Sequence, residues 1–549
     1  MGEKRMIEYR TAEDFAVIFW DKPEDAGRHT IYRISDEEGN VWNAPSTHVT
    51  VTGLVYETTR VFTVAYNIEP GDPEKDFWKL LGCVTVKTEV QKQKIDVTKA
   101  PYNAVGDGQT LVTKALQKAI DECRPDQIVC VPAGVYLCGA LDVKSDTDIY
   151  LAKGAKIQGT EDPKDYLPLI PSRFEGLERT CYRSQINIGR LDRAAGVTCR
   201  NVRIYGEGEI ISGGVPLAKA EANTEKERIA SIIANTDVEA EGLENAGTLP
   251  GRVRGRLMNV TCAQNIWIHG ITAGMAPAWN LHFVYSKNIV TDACTIVSAG
   301  VWNGDGWDPD SSSDCTIFDT TFLTEDDSVA IKSGKNPEGN RIGIPSSHIR
   351  IFDCNCSSGH GLCIGSEMSG GVENVSIWDC DMRRTWAGIE VKGCPKRGGY
   401  VRGLKVRDCS VSHISVHDAV VNMDGEGAPD MPFFSNFEFR DLHLLGRYFD
   451  NNGGRNEWVN CPAIELIGFE KKGHAISHVL VDNVEIEEPA RVRVAAGQTM
   501  SPTGKKASPM EVYAGNILIS HVQDVTMKDI RTVPAEEVVA QPVGEEPQI

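Results

Sequence analysis

Asn303-Gly-Asp-Gly-Trp-Asp-Pro-Asp-Ser-Ser-Ser-Asp-Cys-Thr-Ile-Phe-Asp-Thr-Thr-Phe-Leu-Thr-Glu-Asp-Asp-Ser-Val-Ala-Ile-Lys332 carries eight acidic side chains in one run. Three of them, Asp305, Asp326 and Asp327, stand at what read as strand ends and not on a solvated helix face. Between them lie Cys315-Thr316-Ile317-Phe318 and Thr320-Thr321-Phe322-Leu323, β-branched and aromatic residues that suit strands. If those strands belong to successive coils of a repeating sheet, Asp305 lies one coil below the Asp326-Asp327 pair, and three carboxylates converge on one outer face. Such a cluster divides into acid and base, because like charges raise the pKa of one group while the others stay ionised.

Outward from that stretch, short strand-like runs recur about every 20 to 30 residues from about Ile128 onward, the period of a solenoid. Asn201-Val202-Arg203-Ile204, Asn265-Ile266-Trp267-Ile268, His348-Ile349-Arg350-Ile351, Asn374-Val375-Ser376-Ile377 and Val401 to Cys409 are the clearest, with weaker copies at Phe437, His478 and Val525. An Asn or Asp before an alternating apolar strand suits a parallel β-helix, where side-chain amides bond along the stack at each corner. The turn Gly106-Asp107-Gly108-Gln109-Thr110 predicts an N-cap and a helix over about 111–123, with Leu111, Ala115, Leu116, Ala119 and Ile120 on one face. Its use is to cap the open end of the solenoid, covering apolar core and unpaired strand edges.

Residues 1–88 predict a small β-sandwich, with strands at Phe15–Trp20, Thr30–Ile34, Val49–Val51 and Val61–Tyr66; the placing of Trp20, Tyr32, Leu54 and Tyr56 resembles a fibronectin type III module. The fold class expected is therefore all-β, a parallel β-helix over 89–549 preceded by that sandwich, and the last dozen residues read as a frayed tail.

The net charge of −20 supplies no basic field for phosphates and argues against nucleic acid. No apolar run reaches the roughly 18 residues needed to span a membrane. The first residues lack the apolar core of a secretory signal, so the sequence as it stands predicts a cytoplasmic protein and sixteen reduced cysteines, with an extracytoplasmic protein the alternative if a leader has been removed. Cys315, Cys354, Cys380 and Cys409 each follow an Asp and read as one core position repeated. No CxxC pair has zinc spacing, so neither metal nor cofactor is expected. Monomer and homo-oligomer both stay open.

At three motifs the chain from about Asp96 to Val533 resembles the polygalacturonases, glycoside hydrolase family 28, which are right-handed parallel β-helices that hydrolyse pectic glycans with inversion. Asn303-Gly304-Asp305 matches the family's Asn-x-Asp, Asp326-Asp327 its Asp-Asp, and Gly359-His360-Gly361 its Gly-His-Gly; the continuation Ile364 to Gly371 is similar to the exo-acting bacterial branch. The resemblance implies that Asp326 is the general acid, that Asp305 and Asp327 hold and deprotonate the attacking water, and that His360 tunes a carboxylate. An inverting hydrolase needs acid and base roughly 6.5 to 9.5 Å apart to admit that water.

The fourth motif departs from the pattern. Where the family carries Arg-Ile-Lys this chain has Glu390-Val391-Lys392, so Lys392 is kept and a negative group stands where an arginine helps to bind a uronate carboxylate. Glu390 either repels a uronate there or bonds sugar hydroxyls or Arg397. Residues 335–347 look inserted and wall off one end of a cleft, consistent with exo action. Asn303, Arg173 and Lys392 are expected to bind substrate, and Trp279, Trp302, Trp307 and Trp386 are candidates for stacking on a sugar. The expected partner is an oligosaccharide, and the function is inverting, exo-acting hydrolysis of pectin-derived oligosaccharides. The rivals are a hydrolase of a neutral terminal sugar such as a rhamnoside, a β-eliminating lyase, and a non-catalytic carbohydrate-binding β-helix.

Overall fold

Asn and Asp recur in this chain where the backbone has to turn with positive φ. Asn201, Asn265, Asn288, Asp314 and Asn374 occupy one corner with φ between 54° and 59°, and Asp319, Asp353, Asp379 and Asp408 occupy a second with φ between 48° and 56°. Short polar side chains tolerate this region far better than branched ones. The corners stack: the Asn265 amide donates to Asn201 Oδ1 at 2.9 Å, and Asn288 donates to Asn265 Oδ1 at 2.7 Å. The computed structural model describes residues 7–69, 77–234, 251–419, 423, 425–450, 457–488, 511–513 and 517–535. The expected C-terminal tail falls outside the described residues.

The coils build two long sheets, of 21 and 12 strands among the described residues, whose successive members are almost all parallel. This is the expected parallel β-helix. Period-two alternation sends one set of side chains into the core: in Asp327–Ile331, Val329 and Ile331 point in, and Val329 sits in a ladder with Trp307, Leu362, Ile389 and Ile414. Rings stack in the same register, Phe318 on Phe352 at 4.7 Å and Phe352 on Trp378 at 4.4 Å.

The cysteine pattern needs one correction. Cys354, Cys380 and Cys409 do share a ladder, but its member in the preceding coil is Thr320, with Cys294 one coil before that, whereas Cys315 pairs with Ile289 and Ile349. The strand Ser313–Leu323 bends at two acidic corners, Asp314 and Asp319, and the Asp-Cys pair marks the other corner from the one preceding Cys354.

The capping helix runs Thr113–Glu122, shorter than expected, and its N-cap position is Val112 with no side-chain cap. Asp107–Leu111 is instead a strand, in which Asp107 accepts from the backbone of Gln109 and Thr110, and Leu111 is exposed. Leu116, Ala119 and Ile120 are buried as expected, and Leu116 and Ile120 meet Val129, Leu141, Ile149 and Ile186 at the end of the core. A second helix, Gly214–Ala234, was not anticipated: its buried face includes Glu221 and Glu225 beside Leu217 and Ala218, which hides the apolar period.

Contacts divide the chain into two units, Met1–Ile95 with Arg124–Ile128, and Asp96–Cys123 with Val129–Ile549. In the first, strands Ile7–Ala12, Phe15–Trp20 and His48–Val51 form one antiparallel sheet, and Ile31–Asp36, Val41–Ala44, Thr59–Asn67 and Lys79–Lys87 another. One core holds Ile18, Trp20 and Val51 from the first sheet with Tyr32, Phe62 and Val64 from the second, so the two pack as a sandwich.

Candidate active site

The 12-stranded sheet turns one face outward, and the side chains there form two ladders. One runs His282, Asp308, Ala330, Cys363, Glu390 and Ser415; its neighbour runs Val284, Asp310, Lys332, Gly365, Lys392 and His417. Acids and lysines therefore share a single surface at strand spacing. Each strand is entered through a turn at the same corner, and that corner brings Asp305, Asp326 and His360 together from three successive coils. The Asp327 carbonyl accepts from Gly306, and the Asp326 carbonyl from the His360 amide. Asp305 thus lies one coil below the Asp326-Asp327 pair.

His360 Nδ1 stands 2.9 Å from Asp326 Oδ1 and 3.2 Å from Asp327 Oδ1. Lys332 Nζ is 2.9 Å from Asp305 Oδ2 and 3.7 Å from Asp308, with the Trp279 ring 4.7 Å away. Lys392 Nζ is 3.1 Å from Glu390 and 3.8 Å from Asp327, and the Cys363 thiol donates to Asp327 Oδ1 at 2.9 Å. Asp326 and His360 keep about a quarter of their side-chain surface in solvent, 25% and 29%, while Asp305, Asp327 and Lys332 are nearly covered. The open part of the cluster is thus the Asp326–His360 edge.

Burial and charge sort the protons. Burial pushes Asp305 up to about 7, with the Asp326 and Asp327 charges adding to it and Lys332 opposing. Burial also raises Asp308 well above the usual carboxylate range, with Asp305 beside it. For Asp326 burial works upward too, but the His360, Lys392 and Lys332 charges override it and hold the carboxyl below the ordinary range. Burial pulls His360 down, and the facing carboxylates of Asp326 and Asp327 win, raising it to about 10. The free site therefore stores one proton on His360 against Asp326 and binds another on Asp305 near neutrality, with Asp308 also pushed toward its neutral form.

Of the substrate-binding candidates, Lys392 and Glu390 are in the cluster, but Glu390 pairs with Lys392 and with His417 Nε2 at 2.6 Å, not with Arg397, whose guanidinium bonds Asn336 and Ser366. Asn303 lies in the turn before Asp305 and accepts from Arg254 at 2.7 Å. Trp307 is corrected: it points into the solenoid core, where its indole donates to Thr291 and meets Phe283 edge-on. Arg173 is likewise no cleft residue. It has no exposed surface and pairs with Asp310 at 3.0 Å from the hairpin formed by Ile170–Phe174 and Leu177–Cys181. Trp279 touches the cluster through Lys332 but is buried against Phe174. Trp386 is half-buried 4.5 Å from the His360 ring, and Trp302 is the exposed one. The segment around residues 335–347 folds against the hairpin, Lys335 donating to the Gly176 carbonyl and Glu338 accepting from the Glu178 amide at 2.7 Å.

Lys332, Asp308 and Cys363 were not anticipated as site residues. Period two was the available signal: Val329 and Ile331 inward place Lys332 outward, and Ile389 and Val391 do the same for Lys392.

The profile of Glycosyl hydrolases family 28 matches residues 234–430 of the chain, which span the whole cluster. The chain is 26% identical over 536 residues to an exo-poly-alpha-D-galacturonosidase of Dickeya chrysanthemi, covering 88% of this chain and 86% of that one. Its fold resembles the family 28 exopolygalacturonase of Yersinia enterocolitica with a TM-score of 0.74 at 22% identity, over 97% of each chain. It also resembles a hyperthermoactive exopolygalacturonase of Thermotoga maritima, with a TM-score of 0.57 at 23% identity over 80% of this chain and 91% of the other.

Proposed function

Because the chain belongs to family 28 of the glycosyl hydrolases and is a glycoside hydrolase, we propose that it removes sugar units from the ends of pectin-derived oligosaccharides with inversion. The observation that carries this is the meeting of Asp305, Asp326 and Asp327 from two adjacent coils, with His360 one coil further.

Asp326 is the acid at the glycosidic oxygen. In the free protein its proton sits on His360, 2.9 Å away. A sugar laid over this quarter-exposed edge removes water from an ion pair, and desolvation favours the neutral arrangement of carboxylic acid and imidazole. Substrate binding thus arms the acid where it is needed. Asp327, oriented by the Cys363 thiol, and Asp305, oriented by Lys332, hold the attacking water and take its proton. The resemblance to the Dickeya exo-enzyme and the packed segment around residues 335–347 support attack from a chain end. The sixteen unbridged thiols support a reducing, cytoplasmic setting in which imported oligosaccharides are trimmed.

A second reading concerns the sugar. Glu390 engages the Lys392 ammonium that would otherwise face a uronate carboxylate. A neutral unit such as rhamnose at that subsite is favoured by this contact. Product analysis decides: the protein is incubated with trigalacturonate, a rhamnogalacturonan oligosaccharide and aryl glycosides of neutral sugars, with Asp326→Asn as control. NMR of the first anomer formed reports inversion. Galacturonate released by wild type alone supports the first reading, a neutral sugar alone supports the second, and equal release by the variant refutes the role of Asp326.

A further inference from the structure

The turn that delivers Asp305 is held from outside by a buried cation that the catalytic cluster does not use. Arg254 has no exposed surface. Its Nε donates to the Gly251 carbonyl at 2.8 Å, one terminal nitrogen to the carbonyls of Pro277 at 2.7 Å and Trp302 at 3.0 Å, and the other to Asn303 Oδ1 at 2.7 Å. The guanidinium carbon lies 4.3 Å from the centre of the Trp302 ring. One face of the indole is therefore covered by a fixed charge.

The rest of Trp302 is open: 42% of its surface faces solvent. A scattered exposed hydrophobe needs no explanation, but the turn that carries this ring is braced on both sides of Trp302. Val301 donates to the Ser298 carbonyl at 3.1 Å, and Ser298 Oγ closes the turn on the Gly304 carbonyl. Gly300 donates at 2.9 Å to Glu325, the neighbour of Asp326 in the next coil. Gly304 has no room for a side chain, since a Cβ there would lie 2.6 Å from the Val301 carbonyl. The result is an indole on a braced turn, backed on one face by Arg254, three residues from Asp305 and presented to water in the row of corners that also carries Asp326, His360 and Trp386. Strands stack about 4.8 Å apart, so Trp302 and Trp386, three coils apart, bracket the cluster over about 14 Å along the axis. That length accommodates a short oligosaccharide lying along the solenoid.

We propose that Trp302, clamped by Arg254, is a stacking platform for a pyranose ring of the oligosaccharide, on the N-terminal side of the carboxylate cluster. The proposal rests on the function argued above. A pyranose offers an apolar C–H face, and covering an indole that is already backed by Arg254 costs little ordering entropy on binding. Arg254 is a positioning residue, and it touches no reacting atom.

The test is steady-state kinetics of the full chain with the oligosaccharides that wild type hydrolyses. Trp302→Ala is expected to raise KM about tenfold, with most of the loss in KM and little in kcat, and Trp302→Phe to fall between the two. In an Asp326→Asn background, substrate binding quenches tryptophan fluorescence, and Trp302→Phe removes that part of the quench which the platform contributes. An unchanged KM and an unchanged quench overturn the proposal, as does a KM effect confined to Trp386→Ala, which would put the platform on the other side. If Trp302→Ala fails to fold by circular dichroism, Trp302→Phe and its fluorescence carry the test. Absence of turnover by wild type on every pectic oligosaccharide refutes the functional premise, and the platform falls with it; turnover with unaffected Trp302 variants refutes the platform alone.

Discussion

Replacing Lys332 by Met keeps the length and apolar stem of the side chain and removes one charge from between two buried carboxylates. The ammonium is 2.9 Å from Asp305 with both side chains about 5% exposed or less. At an effective dielectric of about 20, the gross attraction is about 6 kcal/mol, and losing one partner of such a pair ordinarily costs about 3 to 5 kcal/mol of stability. Asp305 has a way out of that cost. Its carboxyl already titrates at about 7, so near neutrality it can take a proton almost freely. The loss then appears in catalysis. A rise of about 2 in the Asp305 pKa, typical for removing an adjacent opposite charge, cuts its ionised fraction at pH 7 from about a half to about one in a hundred, and kcat/KM falls about 50-fold. The sign for stability follows from the same raised carboxyl. Its contribution is intact below the unfolded value of 3.8 and is lost as pH rises through about 7 in wild type; in the variant the loss continues to about 9. The assay is kcat/KM from pH 5 to 10 on the hydrolysed oligosaccharide, with urea unfolding at pH 5, 7 and 9. The acid limb is expected near 7 in wild type and about two units higher in Lys332→Met, with a stability deficit that grows from pH 5 to 9. A wild-type rate that persists undiminished to pH 5, or an unshifted limb in the variant, refutes the assignment of Asp305 as an ionised participant.

Three further perturbations separate the other parts of the cluster. His360, raised to about 10 by Asp326 and Asp327 against the pull of burial, contributes stability that is complete below 6.5 and lost as pH climbs through 10; urea midpoints should fall between pH 7 and 9.5 in wild type and stay flatter in His360→Gln, and parallel profiles would contradict the imidazolium. Cys363 orients Asp327 through one thiol hydrogen bond, so Cys363→Ala should lower kcat by up to about tenfold and Cys363→Ser should restore most of it; equal loss in both would mean that packing and not the donor matters. Glu390→Gln loosens the hold on Lys392 and should lower KM for trigalacturonate about threefold or more relative to a neutral glycoside; a KM that rises for trigalacturonate would mean that Glu390 itself binds substrate.

The sequence discloses this fold through its corners. Asn265, Asn288, Asn374, Asp353 and Asp379 sit where the backbone takes positive φ, a local requirement that leaves a local mark, and the spacing of those marks is the coil. The same rule explains the misplacement of Cys315. Asp314 and Asp319 obey one steric rule at two different corners, and a dipeptide cannot say which corner it occupies; only pairing across coils, Cys354 opposite Thr320, decides. The start of the capping helix was obscured similarly, because Asp107 makes its hydrogen bonds to Gln109 and Thr110 within a strand turn, and these are the bonds that would also announce an N-cap.

The site was legible in its motif residues, Asp305, Asp326, Asp327, His360 and Lys392, and not in Lys332, Asp308 or Cys363. Asp305, Asp326 and His360 stand in turns and Asp327 opens a strand directly after one, where glycines and paired carboxylates depart from the alternation around them. Lys332 and Lys392 close ordinary strands, and the same residue type ends many solvated strands at no cost. What makes these two different is burial: Lys332 is nearly covered because Asp305 and Asp308 meet it from the coil below, and Lys392 because Asp327 and Glu390 do so from its own coil and an earlier one. Burial of a charge is a property of the stack, set largely by residues that lie one coil or more apart in sequence. The Arg-to-Glu departure at Glu390 has the same origin. Taken alone, an acid facing a uronate subsite signals repulsion; within the stack, His417 and Lys392 hold it ionised despite its burial. The negative charge is already answered inside the protein, so on the proposed function the charge left on Lys392 is what decides which sugar is accepted.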